Sequence, residues 1–296
     1  MQVTATMVKE LRERTGAGMM ECKKALTDAS GDMDAAIEQM RKSGQAKADK
    51  KASRIAAEGT TAIANNGKQA VIIEVNCETD FVAKDDQFQD FTNQLAELVL
   101  SSELKTVEDL NAASMPNGQT VEQTRLELVT KIGENIKIRR FEKLFADASV
   151  ASYAHGKRIG VLVDNSGSDE VGKDIAMHIA ASKPLCISES EVPADVLDKE
   201  RDIAKAQAEA SGKPAEIVEK MVLGKVNKFL KESTLLGQPF IKDDSLSVEK
   251  YLKAANASVT KFIRYEVGEG LEKRSENFAD EVQKQIDDLK DKDDDD

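Results

Sequence analysis

The sequence predicts an α+β protein assembled from several small modules rather than from one large core. The chain has 296 residues, more than a single simple core requires and enough for two or three domains. Strand-like and helix-like runs alternate through its middle in two successive units, and each unit begins with a hairpin signal. Charged residues make up 32% of the chain and aromatic residues 4%. That balance indicates a large wetted surface around cores of Ala, Val, Ile, Leu and Met.

Residues 1–44 are predicted to form an N-terminal module of three short helices. Val8 and Leu11 share one face of the first helix, and Asp32 is placed to cap the third. Gly44 is predicted to end the third helix, because glycine favours the left-handed conformation that terminates helices. The other apolar positions predicted to face the core of the module are Met19, Cys22, Ala25, Leu26, Ala29, Ala36, Ile37 and Met40.

A basic linker over residues 45–57 is predicted to connect this module to lobe one, residues 58–145. Lobe one begins with a hairpin signal, Asn65-Asn66-Gly67, between two strand-like runs. Helices are predicted near 86–101 and 119–132, and an alternating strand over 136–142 closes the lobe. We expect the linker to be a solvated connector rather than a nucleic-acid-binding segment.

Lobe two, predicted over residues 146–192 and 233–267, repeats the same plan. Its expected elements are a hairpin over 149–163, helices over 170–182 and 248–255, and a strand over 259–266. The closing strands of the two lobes share a pattern of Lys, apolar, Arg, aromatic and Glu positions. The sequence therefore indicates a weak internal duplication, with antiparallel sheets in both halves.

An insertion over residues 193–232 is predicted to form an antiparallel helical hairpin, a short coiled coil, that projects from lobe two. Gly212 ends its first arm and Pro214 suits the first turn of its second arm. A C-terminal helical module is predicted over residues 268–290. Residues 291–296 are almost entirely Asp and are predicted to be a disordered acidic tail.

Composition excludes several classes of function. The net charge of −12 argues against direct binding of nucleic acid, which requires clustered cations to displace counterions. No run approaches the roughly 18 apolar residues of a membrane span, and the N-terminus lacks the pattern of a secretion signal. We therefore expect a cytoplasmic protein without a membrane partner. Cys22, Cys77 and Cys186 are too few and too scattered for disulfides or a zinc site, so free thiols are predicted.

The sequence shows little of the chemistry of an enzyme. No Gly-Lys pair is followed by the Ser or Thr of a phosphate-binding loop, so neither a nucleotide nor another cofactor is expected. Among the two histidines, His178 has apolar neighbours that favour a core position, whereas His155 lies in a turn and is the better contact candidate. We predict that the protein is not an enzyme; an active site would have to consist of carboxylates alone.

The stretch over residues 76–88 is the one place where such carboxylates gather. Glu78, Asp80, Asp85 and Asp86 lie between a strand-like and a helix-like run. Three interpretations are open: a metal loop, solvated acids with Asp86 capping the next helix, or an exposed contact loop. The spacing lacks the regular alternation and the glycine of a calcium loop, and no metal site is expected. The apolar pair Phe81 and Val82 among these acids favours contact with another molecule.

The motif Thr79-Asp80-Phe81-Val82, framed by Asn76-Cys77-Glu78 and Ala83-Lys84, resembles the signature of the bacterial translation elongation factor Ts family. A second signature of that family is similar to residues 8–20, which include Thr15-Gly16-Ala17-Gly18. Further similar segments lie at residues 23–26, 131–135, 155–160, 180–184, 237–240 and 262–270. The resemblance covers nearly the whole chain in the expected order, apart from the acidic end.

The resemblance implies a guanine-nucleotide exchange factor for elongation factor Tu, the GTPase that carries aminoacyl-tRNA. Both the GDP-bound and the nucleotide-free GTPase would be partners, and a dimer of heterodimers is possible. The implied architecture is a ubiquitin-associated-like three-helix module, a two-lobed α+β core, a protruding coiled coil and a C-terminal helix. That partition is the same as the one predicted from the residue pattern alone.

The resemblance also implies roles for individual residues. Asp80 and Phe81 would enter the GTPase domain near its magnesium site, with Phe81 as an apolar wedge, while Thr79 and Val82 shape the turn. Secondary partner contacts are implied for Arg12, Met19, Met20 and His155. Two rival hypotheses are an interaction scaffold or chaperone without exchange activity, and a carboxylate- or metal-dependent hydrolase built on the acids of the 76–88 stretch.

Overall fold

The computed structural model describes residues 3–15 and 17–272, without the side chains of residues 45–47 and 49. It shows helices together with antiparallel sheets, which confirms the predicted α+β class. Residues 268–272 form a turn and a bend. The rest of the predicted C-terminal helical module, residues 273–290, and the predicted acidic tail, residues 291–296, lie outside the described residues.

The N-terminal module consists of helices α1 (Ala5–Thr15), α2 (Met19–Asp28) and α3 (Met33–Lys51). Leu11 and Leu26 are fully buried at its centre, and Cys22 lies beside them as a free thiol. Asp32 caps α3 by accepting a hydrogen bond from the backbone N–H of Ala35, 2.9 Å away. The three predicted helices are therefore present, stabilised by a small core of aliphatic and thiol side chains.

The prediction that Gly44 ends the third helix is wrong. Helix α3 continues through Gly44 to Lys51, into the segment predicted to be a basic linker. A Cβ at Gly44 would lie 3.2 Å from the side-chain oxygen of Thr130. Glycine is therefore used here for close packing against a neighbouring helix rather than for chain termination. Ala48, one turn further on, is buried in the core of lobe one.

Lobe one contains a three-stranded antiparallel sheet in the order β1-β2-β3, with helices on one face. Its strands are β1 (Glu58–Asn65), β2 (Gln69–Cys77) and β3 (Lys137–Phe145). Its helices are α4 (Asp80–Ala83), α5 (Asp86–Leu100), α6 (Val107–Ala112) and α7 (Val121–Ile132). Helix α6 is absent from the sequence prediction, although a reciprocal capping box between Thr106 and Asp109 marks its start.

Lobe two repeats this sheet in the order β4-β5-β8. Its elements are β4 (Ser149–His155), β5 (Ile159–Asn165), α8 (Asp169–Ser182), the hairpin helices α9 (Ala194–Glu209) and α10 (Ala215–Ser233), β6 (Pro239–Phe240), β7 (Asp243–Ser247), α11 (Val248–Ala254) and β8 (Val259–Glu266). The short β6–β7 pair is the only part of this list that the sequence prediction lacks. In both lobes the middle strand of the sheet is the second strand of the opening hairpin.

The two sheets pack face to face, so both faces of β2 and of β5 are covered. Ile72 and Leu162 point into the core between the sheets, whereas Ile73 and Val163 point into the separate helix-covered cores. This alternation follows from the two-residue period of a strand. Gly160 lets the two sheets approach closely, because a Cβ there would lie 2.7 Å from the side chain of Ile72.

A buried charge also links the lobes. Glu74 on β2 is fully buried and accepts hydrogen bonds from Arg139 (2.9 Å), from Arg140 (2.7 Å) and from the backbone N–H of Gly268 (2.8 Å). Burial alone would raise the pKa of Glu74, but the Gly268 N–H and the two guanidinium groups together hold that pKa below its ordinary value. The turn after β8 is thereby fastened to lobe one.

The ends of the helical hairpin lie close together on lobe two. The backbone N–H of Leu185 donates to the carbonyl of Ser233, and the N–H of Leu235 donates to the carbonyl of Cys186, at 2.8 and 2.9 Å. The hairpin itself buries few side chains, chiefly Ala204, Ala208 and Val226. It is therefore an appendage whose base is fixed by the lobe and whose arms are held mainly by each other.

Candidate functional site

The stretch between β2 and α5 forms a protruding turn. Thr79 caps the single turn of α4, and its hydroxyl accepts from the backbone N–H of Val82 at 3.4 Å. Asp85 then caps α5 by accepting from Gln87 and Phe88. The prediction that Asp86 is the cap is therefore wrong by one residue. Two successive caps within eight residues fix the backbone of this segment, which we call the contact turn (residues 78–85).

Glu134, just after α7, holds the base of the contact turn. Its carboxylate accepts from the backbone N–H groups of Glu78 (3.1 Å) and Thr79 (3.0 Å), and from the Thr79 hydroxyl at 2.6 Å. Hydrogen bonds to a carboxylate are stronger than those between neutral groups. The three contacts therefore fasten a strand end to a helix end that lies more than fifty residues further along the chain.

A second carboxylate, that of Glu78 in the contact turn, accepts a hydrogen bond from the segment that follows α7. Glu78 accepts from the backbone N–H of Asn135 at 2.7 Å and lies 3.4 Å from a guanidinium nitrogen of Arg54. The Asn135 amide in turn donates to the carbonyls of Ala52 and Arg54. The structural role of Glu134 and Asn135 is missing from the sequence prediction. The only signal was their place in the family-like segment 131–135, and that segment did not show what they touch.

Phe81 is the most exposed large apolar side chain near the turn, with 81% of its surface accessible. Asp80, beside it, is also exposed and pairs with Lys84 one helical turn later at 2.6 Å. The hydrogen bond from Lys84 lowers the pKa of Asp80, and Arg158 of lobe two adds a smaller effect in the same direction. Asp80 is therefore ionised at neutral pH, and the contact turn presents an aromatic ring beside a carboxylate.

Phe81 and Val82 do not share the exposure predicted for the pair. Val82 is half-buried and packs against the core of lobe one, and Ala83 after it is buried. The one-turn helix separates their directions, so Val82 and Ala83 anchor α4 while Phe81 points outward. The anchoring makes the exposure of Phe81 a fixed feature of the backbone.

The four acids of the stretch do not converge. Glu78 is engaged by Asn135, Asp80 by Lys84, and Asp85 by the N-terminus of α5, while Asp86 is exposed in the first turn of that helix. Within residues 3–15 and 17–272, no group of three or more His, Cys, Asp or Glu side chains is placed to hold a metal ion. The observed geometry therefore provides no support for the carboxylate- or metal-dependent hydrolase.

The turn between β4 and β5, with His155 at its edge, packs against lobe one. The carbonyl of Lys157 accepts from the backbone N–H of Thr61 (2.8 Å) and from the hydroxyls of Thr60 (3.1 Å) and Thr61 (3.3 Å). His155 is exposed, and its ring lies 3.2 Å from the Tyr153 hydroxyl.

An ion pair brings this turn close to the contact turn. Arg158 pairs with Glu58, the residue opposite Cys77 in the register of β1 and β2. Arg158 also lies near enough to Asp80 to lower its pKa. The structure thus brings the region of His155 to the same edge of the molecule as Phe81.

The remaining candidates lie on the N-terminal module. Met19 and Met20, at the start of α2, are 58% and 77% exposed, and Arg12 is exposed on α1. The prediction that Met19 faces the core of the module is therefore wrong, because the core side of α2 is formed by Cys22, Ala25 and Leu26. No hydrogen bond or ion pair in the described part of the chain links Arg12 to the contact turn. The two exposed methionines give the N-terminal module an apolar patch on α2, an element distinct from the contact turn.

Two side chains of reactive types, a thiol and an imidazole, lie in buried positions that do not suit a catalytic role. Burial, reinforced by Glu134 and Glu58, raises the pKa of Cys77 to about 12, so this thiol is not a nucleophile near neutral pH. His178 is fully buried, pairs with the Gln238 side chain at 2.9 Å and accepts from the backbone N–H of Ile241 at 3.2 Å. Burial lowers the pKa of His178. Its predicted core position is confirmed.

The fold and the site define a class of modular α+β protein whose candidate site is a clamped, protruding turn rather than a cleft. The family model for elongation factor TS matches residues 78–269, a span that begins at the contact turn. The chain belongs to the elongation factor Ts family. It is similar over nearly its full length to curated proteins of that name.

The similarity is high in several bacteria. Elongation factor Ts of Methylococcus capsulatus (strain ATCC 33009 / NCIMB 11132 / Bath) is 60% identical over 97% of this chain and 99% of that protein. Elongation factor Ts of Thioalkalivibrio sulfidiphilus (strain HL-EbGR7) is 59% identical over 96% and 99%. Elongation factor Ts of Legionella pneumophila (strain Lens) is 54% identical over 96% and 98%. In the described residues, no helix is long and apolar enough to cross a membrane.

Proposed function

We propose that this protein is the guanine-nucleotide exchange factor of elongation factor Tu. It binds the GDP-bound GTPase and promotes release of GDP by stabilising the nucleotide-free form. Membership of the elongation factor Ts family supports this proposal. The observation that carries it is the geometry of Phe81, a large apolar side chain held 81% exposed on a turn fixed from several sides.

The thermodynamic requirement is that the protein binds the nucleotide-free GTPase more tightly than the GDP complex. By linkage, its binding then weakens GDP by the same factor. Such a protein needs no nucleotide site of its own. It needs a rigid feature that fits one state of the partner and not the other.

The contact turn has the properties of such a feature. Leaving a large aromatic ring in water is unfavourable, and its burial in a partner is worth roughly 2 kcal/mol. Phe81 would act as an apolar wedge in the GTPase domain near the magnesium site of the partner. Asp80 would hydrogen-bond groups of the partner and hold the contact turn in register. The hydrogen bonds of Glu134 to the contact turn support this role. A mobile turn would have to be ordered on binding, and that ordering would cost binding free energy.

We propose no bond-making role for any residue of this chain. The protein would shift populations of its partner, and the magnesium and phosphate chemistry would belong to the GTPase. The exposed patch at Met19 and Met20 would supply an adaptable apolar contact to a second helix of the partner. His155 would add a contact from lobe two.

The test is the release of a fluorescent GDP from elongation factor Tu. Phe81→Ala is expected to slow stimulated release at least tenfold, equal to roughly 1.4 kcal/mol of coupling. Its thermal stability should stay close to that of the parent chain, because the ring is exposed. Phe145→Ala is the matched control: Phe145 is also a largely exposed phenylalanine, 62% accessible, but it lies at the far end of β3.

Asp80→Ala separates the wedge from its neighbour and should weaken stimulation less than Phe81→Ala. Normal stimulation by both variants would overturn the assignment of the wedge. Binding of elongation factor Tu with no acceleration of GDP release by the parent chain would favour the scaffold or chaperone hypothesis instead.

A further inference from the structure

A basic cleft lies between the N-terminal module and lobe one, away from the contact turn. It has a volume of about 1000 Å³ and is lined by residues of α1, α3 and α7 together with the α1–α2 connection. Five cationic side chains line it: Arg12, Arg14, Arg41, Lys42 and Lys131. Only two acids do so, Glu21 and Glu127, and burial raises the pKa of Glu127. The cleft is cationic in a chain whose net charge is −12.

Several of these cations are not held in a hydrogen bond or an ion pair. Arg12, Arg41 and Lys131 make neither with any described residue, and Arg41 lies near enough to Glu127 to favour the ionised form of that carboxyl. Arg14 lies 3.9 Å from Asp34 and Lys42 lies 2.7 Å from Glu38, but both pairs are solvent-exposed. Exposed pairs of this kind contribute little and leave the cation available to another anion.

The chain carries a matching anionic segment outside the described residues. Seven of the ten residues 287–296 are Asp, and two are Lys. The composition shows too little apolar surface for a packed core. We propose that this acidic segment docks in the basic cleft of its own chain and covers Arg12, so that it competes with partners of the N-terminal module.

The path between the two is short. Leu271 and Glu272 line a smaller cleft together with Ala52, the residue that follows α3, and with Asn135, whose side chain donates to the carbonyl of Ala52. Helix α3 leads from there back to Gly44 in the basic cleft, roughly 10 Å at 1.5 Å per residue. Residues 273–286 span roughly 20 Å as the helix that the sequence predicts, and up to roughly 45 Å as an extended chain. The acidic segment therefore reaches the cleft without strain.

Tethering makes a weak contact sufficient. Individual exposed ion pairs are weak, but a segment joined to the cleft through a short length of the same chain is present at an effective concentration of about millimolar. Occupancy is then set by ionic strength, since the screening length falls to roughly 4 Å at about 0.5 M salt. The docking of the acidic segment in the cleft is independent of the proposed exchange function. Its competition with partners of the N-terminal module rests on that function.

Zero-length carbodiimide cross-linking of the full chain tests the docking, because it joins carboxylates only to amines in direct contact. Cross-links from Asp293–Asp296 are expected at Lys42 and Lys131, and should be lost at about 0.5 M salt. Lys228 and Lys253 are comparably exposed amines outside the cleft and serve as controls. Arg41→Gln should reduce the yield at Lys42 about threefold. Even labelling of all four lysines would overturn the docking, as would cross-links found only between isotope-labelled and unlabelled copies.

The competition is tested by replacing Asp293, Asp294, Asp295 and Asp296 with Asn. At low salt, the concentration of this variant that half-maximally stimulates GDP release should be about threefold lower than for the parent chain. The difference should vanish at high salt. An unchanged value alongside specific cross-links would overturn the competition and leave the docking. Absence of stimulation by the parent chain would count against the proposed function, while the cross-linking result would stand.

Discussion

The two lobes share one sheet plan but differ in the connection that follows the middle strand. In lobe one, β2 and α5 are separated by residues 78–85, which include the one-turn helix that presents Phe81. In lobe two, β5 and α8 are separated by three residues, Ser166-Gly167-Ser168. There the fully buried Asn165 donates to the carbonyls of Gly167 and Ser168 and accepts from the N–H of Gly167.

Both connections are held by a side chain that satisfies backbone groups, so both are rigid. The lobe-two connection uses a buried amide and presents no large apolar side chain. The lobe-one connection uses the carboxylate of Glu134 from a distant helix end, and this leaves room for a projecting turn. The two lobes thus share one sheet plan and differ in this connection. The sheets form the stable cores, and residues 78–85 of lobe one provide the candidate contact.

The largest expected effect is a loss of stability at Glu74, the buried carboxylate that links lobe one to the turn after β8. Glu74→Gln should lower the free energy of unfolding by about 3 kcal/mol, because it removes the buried carboxylate that pairs with Arg139 and Arg140 and leaves Arg140 only Glu269, 4.0 Å away. Chemical denaturation measures this loss. Glu249→Gln, which breaks an exposed pair with Lys253, is the control and should cost less than about 0.5 kcal/mol.

The pH dependence of Glu74→Gln sharpens this test. Because the folded pKa of Glu74 is lowered, its contribution is fully present above the unfolded pKa near 4.5 and is lost as the pH falls below that value. The parent and the variant should therefore differ in stability at pH 7 and converge in strong acid. A constant difference between pH 7 and pH 3 would mean that the ionised carboxylate does not join the lobes.

The next largest effect compares the two connections directly. Glu134→Ala and Asn165→Ala should each lower the free energy of unfolding by about 2 kcal/mol, since each leaves several backbone groups without partners. Only Glu134→Ala should also slow stimulated GDP release, by about tenfold, because it loosens the turn that carries Phe81. Equal exchange defects in the two variants, measured with folded protein, would show that stability alone limits activity.

The smallest expected effect concerns the helical hairpin. Replacing residues 194–231 with a short Gly-Ser linker should change the unfolding free energy of the core by less than about 1 kcal/mol. The ends are already paired through the backbone of residues 185–187 and 233–236, so a short loop closes them at little entropic cost. Loss of cooperative unfolding in that deletion would contradict the description of the hairpin as an appendage.

Periodicity and turn chemistry were sufficient to predict much of the fold. The two hairpins, the helices that follow them and the closing strands are each marked by local signals, such as Asn65-Asn66-Gly67. The exposure of Phe81 was predictable because an apolar residue among acids has no place in a core. Val82 was not, since its direction depends on a helical turn of four residues that no periodic pattern marks.

The supports of the site depend on long-range contacts and were not predictable from local pattern. Glu134 reaches Thr79 across 55 positions, and Lys157 reaches Thr61 across 96. Gly44 failed for a related reason. A glycine that ends a helix and a glycine that lets two helices approach look alike in sequence, and only the neighbouring Thr130 distinguishes them.

The passage of α3 through Gly44 has a consequence for how this chain can vary. The continuous helix α3 runs from the N-terminal module, whose α2 carries the exposed methionines, to lobe one. The orientation of the module therefore depends on that helix. Each residue added or removed between Met40 and Ala48 would rotate the module by about 100° and shift it by about 1.5 Å along the axis. Met19 and Met20 would then face a different direction relative to Phe81. The number of residues in α3 therefore fixes the angle between the two exposed apolar surfaces, that of Met19 and Met20 and that of Phe81. Single-residue insertions in α3 should be far less tolerated than substitutions.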